Sequence, residues 1–324
     1  MTKIEKMPQR SALQGPVLTK ANFRPLIDAT EKLMSNVAIR RRDVLPKSTD
    51  PIVQQAVAQQ ILLEFWPDTV CGVPNVVLRG ALFSICQRRA IAKNRELIAT
   101  VEGIEIRFKG ERFNQTDLDV WEMLLHFARR KPLGEPVEFS AHTFLKSLGR
   151  GVGGHDHDQL KEEITRLRSG TLEIKWIKEE KTFGGGLVNE YFYDDEKKRY
   201  IIIFSEKMLN LYDEGYSYID WQQRKKLKAS NLAKWLHGFY ASHAKPFPYK
   251  VDTIRKLCGS TTARLGDFRK QISKALKLLK EVGAITDSKI NSDDLIIIEK
   301  VPTASQHRHL RRGKFHTPSN RHGV

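Results

Sequence analysis

The sequence predicts an α+β fold: two small helix-and-strand modules in series, a flexible polar arm before them and a basic tail after. Three observations carry this reading. At 324 residues the chain exceeds one typical domain. An order of helix, short extended piece, helix, turn, helix and strands occurs once between residues 114 and 204 and again between 229 and 299, without repeated sequence. Both ends depart from the composition that builds a core, the first by scattered charge and proline, the last by basic residues without any acid.

Residues 1–75 read as the arm. They carry four prolines before Pro51 and the triplet Arg40, Arg41 and Arg42. One apolar island interrupts them, Gln60, Ile61, Leu62, Leu63, Glu64, Phe65 and Trp66, too short to form a core of its own. Such an island either docks on the folded body or binds a partner.

Residues 76–215 read as the first module. Ile98, Val101, Ile104, Ile106 and Phe108 lie in β-prone stretches around Gly103, the pattern of a hairpin. A helix then starts after Asn114, with Asp117 and Asp119 in its first turn and Leu118, Trp121, Leu124, Leu125 and Ala128 at helical spacing. Pro132 and Gly134 stop it. An extended piece at 137–139, a helix at 140–148, a glycine-rich turn at 149–154 and a helix at 156–168 follow. Two helices around a tight turn make a helix-turn-helix, and the strands expected at 171–176, 187–193 and 200–204 complete the pattern of a winged helix.

Residues 216–300 read as the second module, with helices at 229–242, 251–258 and 263–282 and strands near 284–286 and 295–299. The two modules are therefore expected to be tandem winged helices, with 301–324 as the basic tail.

Charge points to the partner. Fifty-five Lys and Arg against 38 Asp and Glu leave +17, more than solubility requires, so a polyanion is expected. The three cysteines, Cys71, Cys86 and Cys258, are far apart and odd in number, which argues against a disulfide framework or a structural zinc and for a reducing cytoplasm. No apolar run reaches the roughly 18 residues that span a bilayer, and residues 1–14 lack the apolar core of a secretory signal. Binding to a membrane surface through charge alone is the competing source of the +17.

The helix at 263–282 divides its faces. Leu265, Phe268, Ile272, Ala275, Leu276 and Leu279 form one stripe, and Lys270, Lys274 and Lys277 lie opposite. A recognition helix needs this division, one side fixed to its domain and the other free to enter a major groove about 12 Å wide. Ser260, Thr261, Thr262 and Arg264 precede or begin it and can donate to phosphate or base, and Arg264 and Arg269 suit bases better than lysines do. A solvated lysine face is the plainer alternative. In the first module the corresponding helix offers His155, His157, Gln159, Lys161, Arg166 and Arg168, offset by Glu162 and Glu163. Arg224, Lys225, Lys226 and Lys228 either bridge phosphates between the modules or form a charged linker.

Catalytic chemistry is not expected. The glycine-rich turn at 149–154 lacks the Gly-Lys-Ser/Thr that holds nucleotide phosphates and Mg²⁺, so no nucleotide cofactor is anticipated. His155-Asp156-His157 is similar to the paired-histidine metal site of rolling-circle nicking enzymes. Here, though, an acid sits in the middle and the motif opens a helix, so no metal is expected. Eight tyrosines leave a nicking nucleophile formally open.

Longer matches go further. Arg79-Gly80-Ala81-Leu82-Phe83, Val120-Trp121 through Ala128-Arg129-Arg130-Lys131-Pro132-Leu133-Gly134-Glu135-Pro136, Ser242-His243 through Pro246-Phe247-Pro248-Tyr249, and Leu257-Cys258-Gly259-Ser260 occur in order, with a shorter match at 291–295. Over residues 79–300 the chain resembles the TrfA-type plasmid replication initiators. The resemblance implies binding to iteron repeats in a plasmid origin as double-stranded DNA, opening of the neighbouring duplex, recruitment of the host initiator and replicative helicase, and a monomer–dimer equilibrium that tunes copy number. It also implies a sliding-clamp motif at Gln60, Ile61, Leu62, Leu63 and Phe65, departing from the family pattern by the insertion of Glu64. A transcriptional repressor built on the same tandem modules is the alternative, and an origin-nicking endonuclease a more distant one.

Overall fold

The computed structural model describes residues 66–212, 215–303 and 306. The arm before Trp66, including the motif at 60–65, and the tail beyond 303 apart from Gln306 lie outside the described residues.

The first module begins earlier than its sequence suggests. Trp66 is wholly buried, and strand β1 (Val70–Pro74) pairs antiparallel with β11 (Tyr216–Asp220), so residues 66–75 belong to the folded body. The Trp66 ring packs against Gly72, where an added Cβ would stand 2.7 Å from it. Its Nε1 donates to His126 Nδ1 at 3.2 Å, and Arg129 Nε donates to its carbonyl at 3.1 Å.

A short helix α1 (Asn75–Leu78) and strand β2 (Phe83–Ser84) lead to the hairpin of β3 (Ile91–Ile98) and β4 (Ile104–Glu111). After β5 (Phe113–Asn114) comes α2 (Gln115–Ala128), the axis of the module. Asn114 starts it with a capping box: its side chain accepts from the amides of Thr116 and Asp117, and Asp117 Oδ2 accepts from the Asn114 amide at 2.9 Å. Leu118, Trp121, Leu124 and Leu125 then enter the core as their spacing predicts.

Strand β6 (Val137–Ser140), α3 (Ala141–Leu148) and α4 (Gly154–Ser169) follow, the two helices joined through Gly149 in the left-handed conformation at φ 72°. The strands after α4 divide differently from the expectation. β7 (Thr171–Trp176) and β8 (Lys181–Gly185) extend the β3–β4 hairpin into a four-stranded sheet, because Leu172 and Ile174 stand opposite Phe108 and Ile106 and bury with them. Only β9 (Glu190–Asp194) and β10 (Arg199–Ile203) join the sheet of β6, β10 pairing with β6 and β9 with β10, in the order β6-β10-β9. A 3-10 turn (Glu206–Leu211) precedes β11.

Helix α5 (Trp221–Lys226) leads into the second module: α6 (Asn231–Ala241), β12 (Tyr249–Lys250), α7 (Val251–Leu257), α8 (Leu265–Glu281), β13 (Asp287–Ile290) and β14 (Leu295–Glu299). Its sheet runs β12-β14-β13. Both modules thus share one plan: a strand enters the helix pair and later pairs with the last strand of a hairpin. Each module keeps its own core, one spanning Trp66 to Trp221 and the other Leu227 to Ile298.

Two predictions follow from this packing. Trp66→Ala should cost about 3–5 kcal/mol in urea unfolding of the full chain, whereas Phe247→Ser, at a site 68% exposed, should change it by less than about 0.5 kcal/mol. A tolerated Trp66→Ala would place Trp66 outside the core. Burial also holds three histidines neutral, His126 and His243 near 4 and His237 near 3. Below about pH 6.5 the unfolded chain binds more protons at these sites, so stability should fall as the pH drops from 7 toward 4. Glu122, pushed up to about 7 by burial, works in the opposite sense, and buried Asp117 and Glu163, also raised by burial, do so toward the acid end, so the fall is expected mainly between pH 7 and 5. A urea midpoint that stays level from pH 7 to 5 would contradict this.

Candidate nucleic-acid interface

Helix α8 carries out its division of faces. Phe268, Ile272, Ala275, Leu276 and Leu279 are buried, while Lys270, Gln271, Ser273, Lys274, Lys277 and Lys280 are exposed. Lys274 and Lys277 make no ion pair among the described residues, and Lys270 only approaches Asp267 at 3.9 Å. Lys280, at the end of the helix, pairs with Asp287 at 2.8 Å, and the outward face before it is a row of solvated ammonium groups.

The turn that enters α8 is held from behind. Gly259, at φ 67°, lies so close to the first module that an added Cβ would stand 2.9 Å from Ser84 Cβ. Arg255 at the end of α7 donates to the carbonyls of Thr262 and Ala263 at 3.1 and 2.9 Å, and Ser260 Oγ accepts from the Thr262 amide at 3.2 Å. These bonds leave Thr261 and Arg264 exposed and Ser260 and Thr262 half-buried at the positive end of the helix dipole. Arg255 was not legible as part of this device, since nothing in its spacing names carbonyls seven and eight residues on.

Arg269 stands elsewhere than the sequence reading placed it. Its guanidinium pairs with Asp294 and donates to the Asn291 carbonyl at 3.2 Å, tying α8 to the β13–β14 turn. Of the two arginines expected to read bases, only Arg264 projects freely among the described residues.

The first module's helix α4 offers less. His155, Lys161 and Arg168 are exposed, and His157 and Gln159 half-buried. Arg166 corrects the expectation: it is 6% exposed, with Nε donating to Asp117 at 3.0 Å and Nη1 to Glu111 at 3.3 Å, so it holds α4 to α2 rather than facing solvent. Glu163 is likewise buried, on Arg150 at 2.6 Å. Asp158 and Glu162 share an open groove with Glu111, Lys161, Thr165 and Ser169, giving this face mixed charge. Lys161 also leans over the Tyr193 ring of β9, 5.7 Å from its centroid. Asp156 explains the centre of the His-Asp-His run, since its Oδ2 accepts from the Gly153 amide at 3.1 Å and begins α4. No group of three or more His, Cys, Asp or Glu able to hold a metal occurs among the described residues.

The basic run at 224–228 splits. Arg224 is buried, so it is unavailable to phosphate. Lys226 and Lys228 are exposed, and Lys225 and Lys228 line an open cleft with Arg150, Gln159 and Lys234.

With this geometry in place, comparison with known proteins identifies the class. The family model described as TrfA protein matches residues 27–300, and the chain belongs to that family. A curated relative, the plasmid replication initiator protein TrfA of Escherichia coli, is 25% identical over 276 residues, spanning 83% of this chain and 72% of that protein. Among solved structures, domains 2 and 3 of RctB align over 68% of this chain and 86% of theirs at 12% identity, with a TM-score of 0.44. The Pi initiator protein in complex with iteron DNA aligns over 57% of this chain and 94% of its own, also at 12% identity, with a TM-score of 0.45.

The contrast between neighbouring arginines on α4 is testable. Arg166→Ala removes the closer of the two arginines on buried Asp117, leaving Arg89 at 3.4 Å, and should cost about 3 kcal/mol, while the exposed Arg168→Ala should fall within about 0.5 kcal/mol of the parent in urea. Equal costs would mean that Arg166 does not carry the contact.

Proposed function

We propose that this chain is a plasmid replication initiator whose two modules are tandem winged helices that bind repeated sites in the plasmid origin as double-stranded DNA. One observation carries the reading: in a member of the TrfA family, α8 follows a helix and tight turn, is fixed by an apolar stripe, and shows solvent a row of lysines. A helix so mounted fits the major groove.

The roles divide by chemistry. Lys270, Lys274 and Lys277 neutralise phosphates. Ser260, Thr261 and Thr262, with the free amides at the start of α8, donate to a phosphate at its N-terminus. Arg264 has the fork that reads guanine through O6 and N7. The β13–β14 hairpin, anchored by Arg269, is the wing beside the helix. α4 supplies a second contact through His155, His157, Gln159, Lys161 and Arg168, weaker because Asp158 and Glu162 stand among them.

On this reading the chain acts by assembly, without catalysis or cofactor of its own. In the cytoplasm of its bacterial host it binds iterons, promotes opening of the adjacent duplex, and draws in the host initiator and helicase, with a monomer–dimer equilibrium limiting copy number. The segment Gln60, Ile61, Leu62, Leu63 and Phe65 would serve the sliding clamp.

A plasmid carrying the gene and its origin should stop replicating when the gene is deleted. Continued replication, with loss of promoter control instead, would favour a repressor. At the interface, Lys274→Ala and Lys277→Ala should each weaken binding to all sequences and reduce the slope of log affinity against log salt by about 1. Arg264→Ala should leave the slope nearly unchanged and cost about 1–3 kcal/mol at particular base pairs. An unchanged slope in the lysine variants would remove the phosphate contacts from α8.

A further inference from the structure

The two cores meet through a seam of buried polar groups that the DNA-contacting faces do not use. Arg224, 1% exposed, lies at its centre. It donates through Nε to Asp119 at 2.6 Å and through Nη2 to Gln115 at 3.2 Å, both on α2, and through Nη1 to the Lys234 carbonyl at 3.2 Å on α6. Glu122 Oε2 stands 3.0 Å from its Nε. From the second module, Lys234 Nζ reaches back to Asp119 at 2.5 Å.

A second set of bonds crosses the seam beside the turn that enters α8. The Ile85 amide donates to the Cys258 carbonyl at 3.0 Å, and Asn231 Nδ2 donates to the Ile85 carbonyl at 3.2 Å. Trp235 Nε1 donates to the Gly80 carbonyl at 3.0 Å. Gly238 lets α6 approach α1 so closely that an added Cβ would stand 2.9 Å from Leu78 Cδ2. Apolar contact alone tolerates sliding and rotation. A buried guanidinium fork answered by carboxylates on one helix and a carbonyl on another does not, because a small rotation strands a desolvated charge.

We propose that Asp119, Arg224 and Lys234 are positioning residues that hold α4 and α8 at one fixed separation and angle, so that this seam, and not the DNA-contacting faces, sets the spacing between the two halves of each bound site. The inference rests on the reading of both modules as duplex-DNA binders. Its consequence concerns specificity: the protein measures distance along the helix as well as sequence.

The test begins with a hydroxyl-radical footprint of the full-length protein on its own origin repeat, followed by affinity measurements on duplexes with one or two base pairs inserted between the two protected patches. Each inserted pair turns one half by roughly 34° relative to the other, since a turn holds about 10.5 base pairs. The parent should lose about tenfold or more in affinity per insertion, in line with the usual cost of a defective site. Asp119→Asn and Lys234→Met should shrink that loss to about threefold or less, while binding to non-specific duplex keeps its affinity and salt slope. Lys234→Arg, which keeps the charge, should restore most of the spacing preference.

A residue that merely stabilises the fold would lower affinity for every spacing alike. Folded variants, by circular dichroism and melting, that keep the parent's full spacing penalty would overturn the proposal. So would a parent indifferent to insertion. If Asp119→Asn does not fold, Lys234→Met, which leaves Arg224 and Asp119 paired, decides the matter. Failure of the parent to prefer its origin repeat over random duplex would instead overturn the reading as an initiator, an outcome separable from all of these.

Discussion

A single buried guanidinium constrains this molecule more than any other group. Removing Arg224 from water costs several kcal/mol, and only a full set of partners offsets that. Gln115 and Asp119 on α2 and the Lys234 carbonyl on α6 provide it, with Glu122 beside them as a counter-charge; Gln115, Asp119 and Glu122 stand at i, i+4 and i+7 and so share one face of α2, a polar stripe on a helix otherwise committed to the core. The cluster is not left as a bare charge balance. Burial pushes Glu122 up to about 7 and Arg224 draws it back, while Asp119 is held below its usual value because Arg224 and Lys234 outweigh its burial. Helices α2, α5 and α6 therefore have to meet at one place, and the second module is fixed to the first by chemistry that has little freedom of angle.

That constraint gives meaning to the asymmetry between the modules. They share a plan of strand, helix pair and hairpin, yet α8 shows a row of lysines and α4 a mixture of acids and bases. In the first module the stronger cations have gone inward. Arg150 and Arg166 answer Glu163 and Asp117, and what remains outside is a modest footprint. In the second module Arg255 and Arg269 also serve structure, one holding the turn before α8 and the other the hairpin turn, while the lysines stay outside. Around α4 and α8 the inward-turned cations are arginines and most of the solvent-facing ones are lysines, as the fork geometry of one and the hydration of the other favour.

Much of this was legible in the sequence, and the rest was hidden for identifiable reasons. Periodicity located α2, α3, α4, α7 and α8, and Asn114 marked a true cap, because local spacing and capping chemistry are short-range properties. The choice of strand partner is not local. Residues 171–176 have the alternation of a wing strand, yet Leu172 and Ile174 pair with Phe108 and Ile106 some 65 residues earlier. Nor does a charge in a sequence reveal its partner: Arg224 and Asp119 are 105 residues apart, and Arg166 and Asp117 are 49 apart. Burial of these arginines could have been suspected from the acids set among the core positions of α2, where Asp117, Asp119 and Glu122 have no reason to be unless something answers them. In sequence Trp66 closes an apolar island; in the fold it is the first anchor of the core. The rest of that island lies outside the described residues.

The account stands on sequence-specific recognition of duplex DNA by a chain whose charge alone would explain only adhesion to polyanions. The direct measurement is the affinity of the full-length protein for a duplex of its own origin repeat and for a scrambled duplex of the same length and composition, at about 0.15 M salt. The account predicts a preference for the origin repeat of about a thousandfold or more, the range typical of specific binders. Equal affinity for the two duplexes would contradict it.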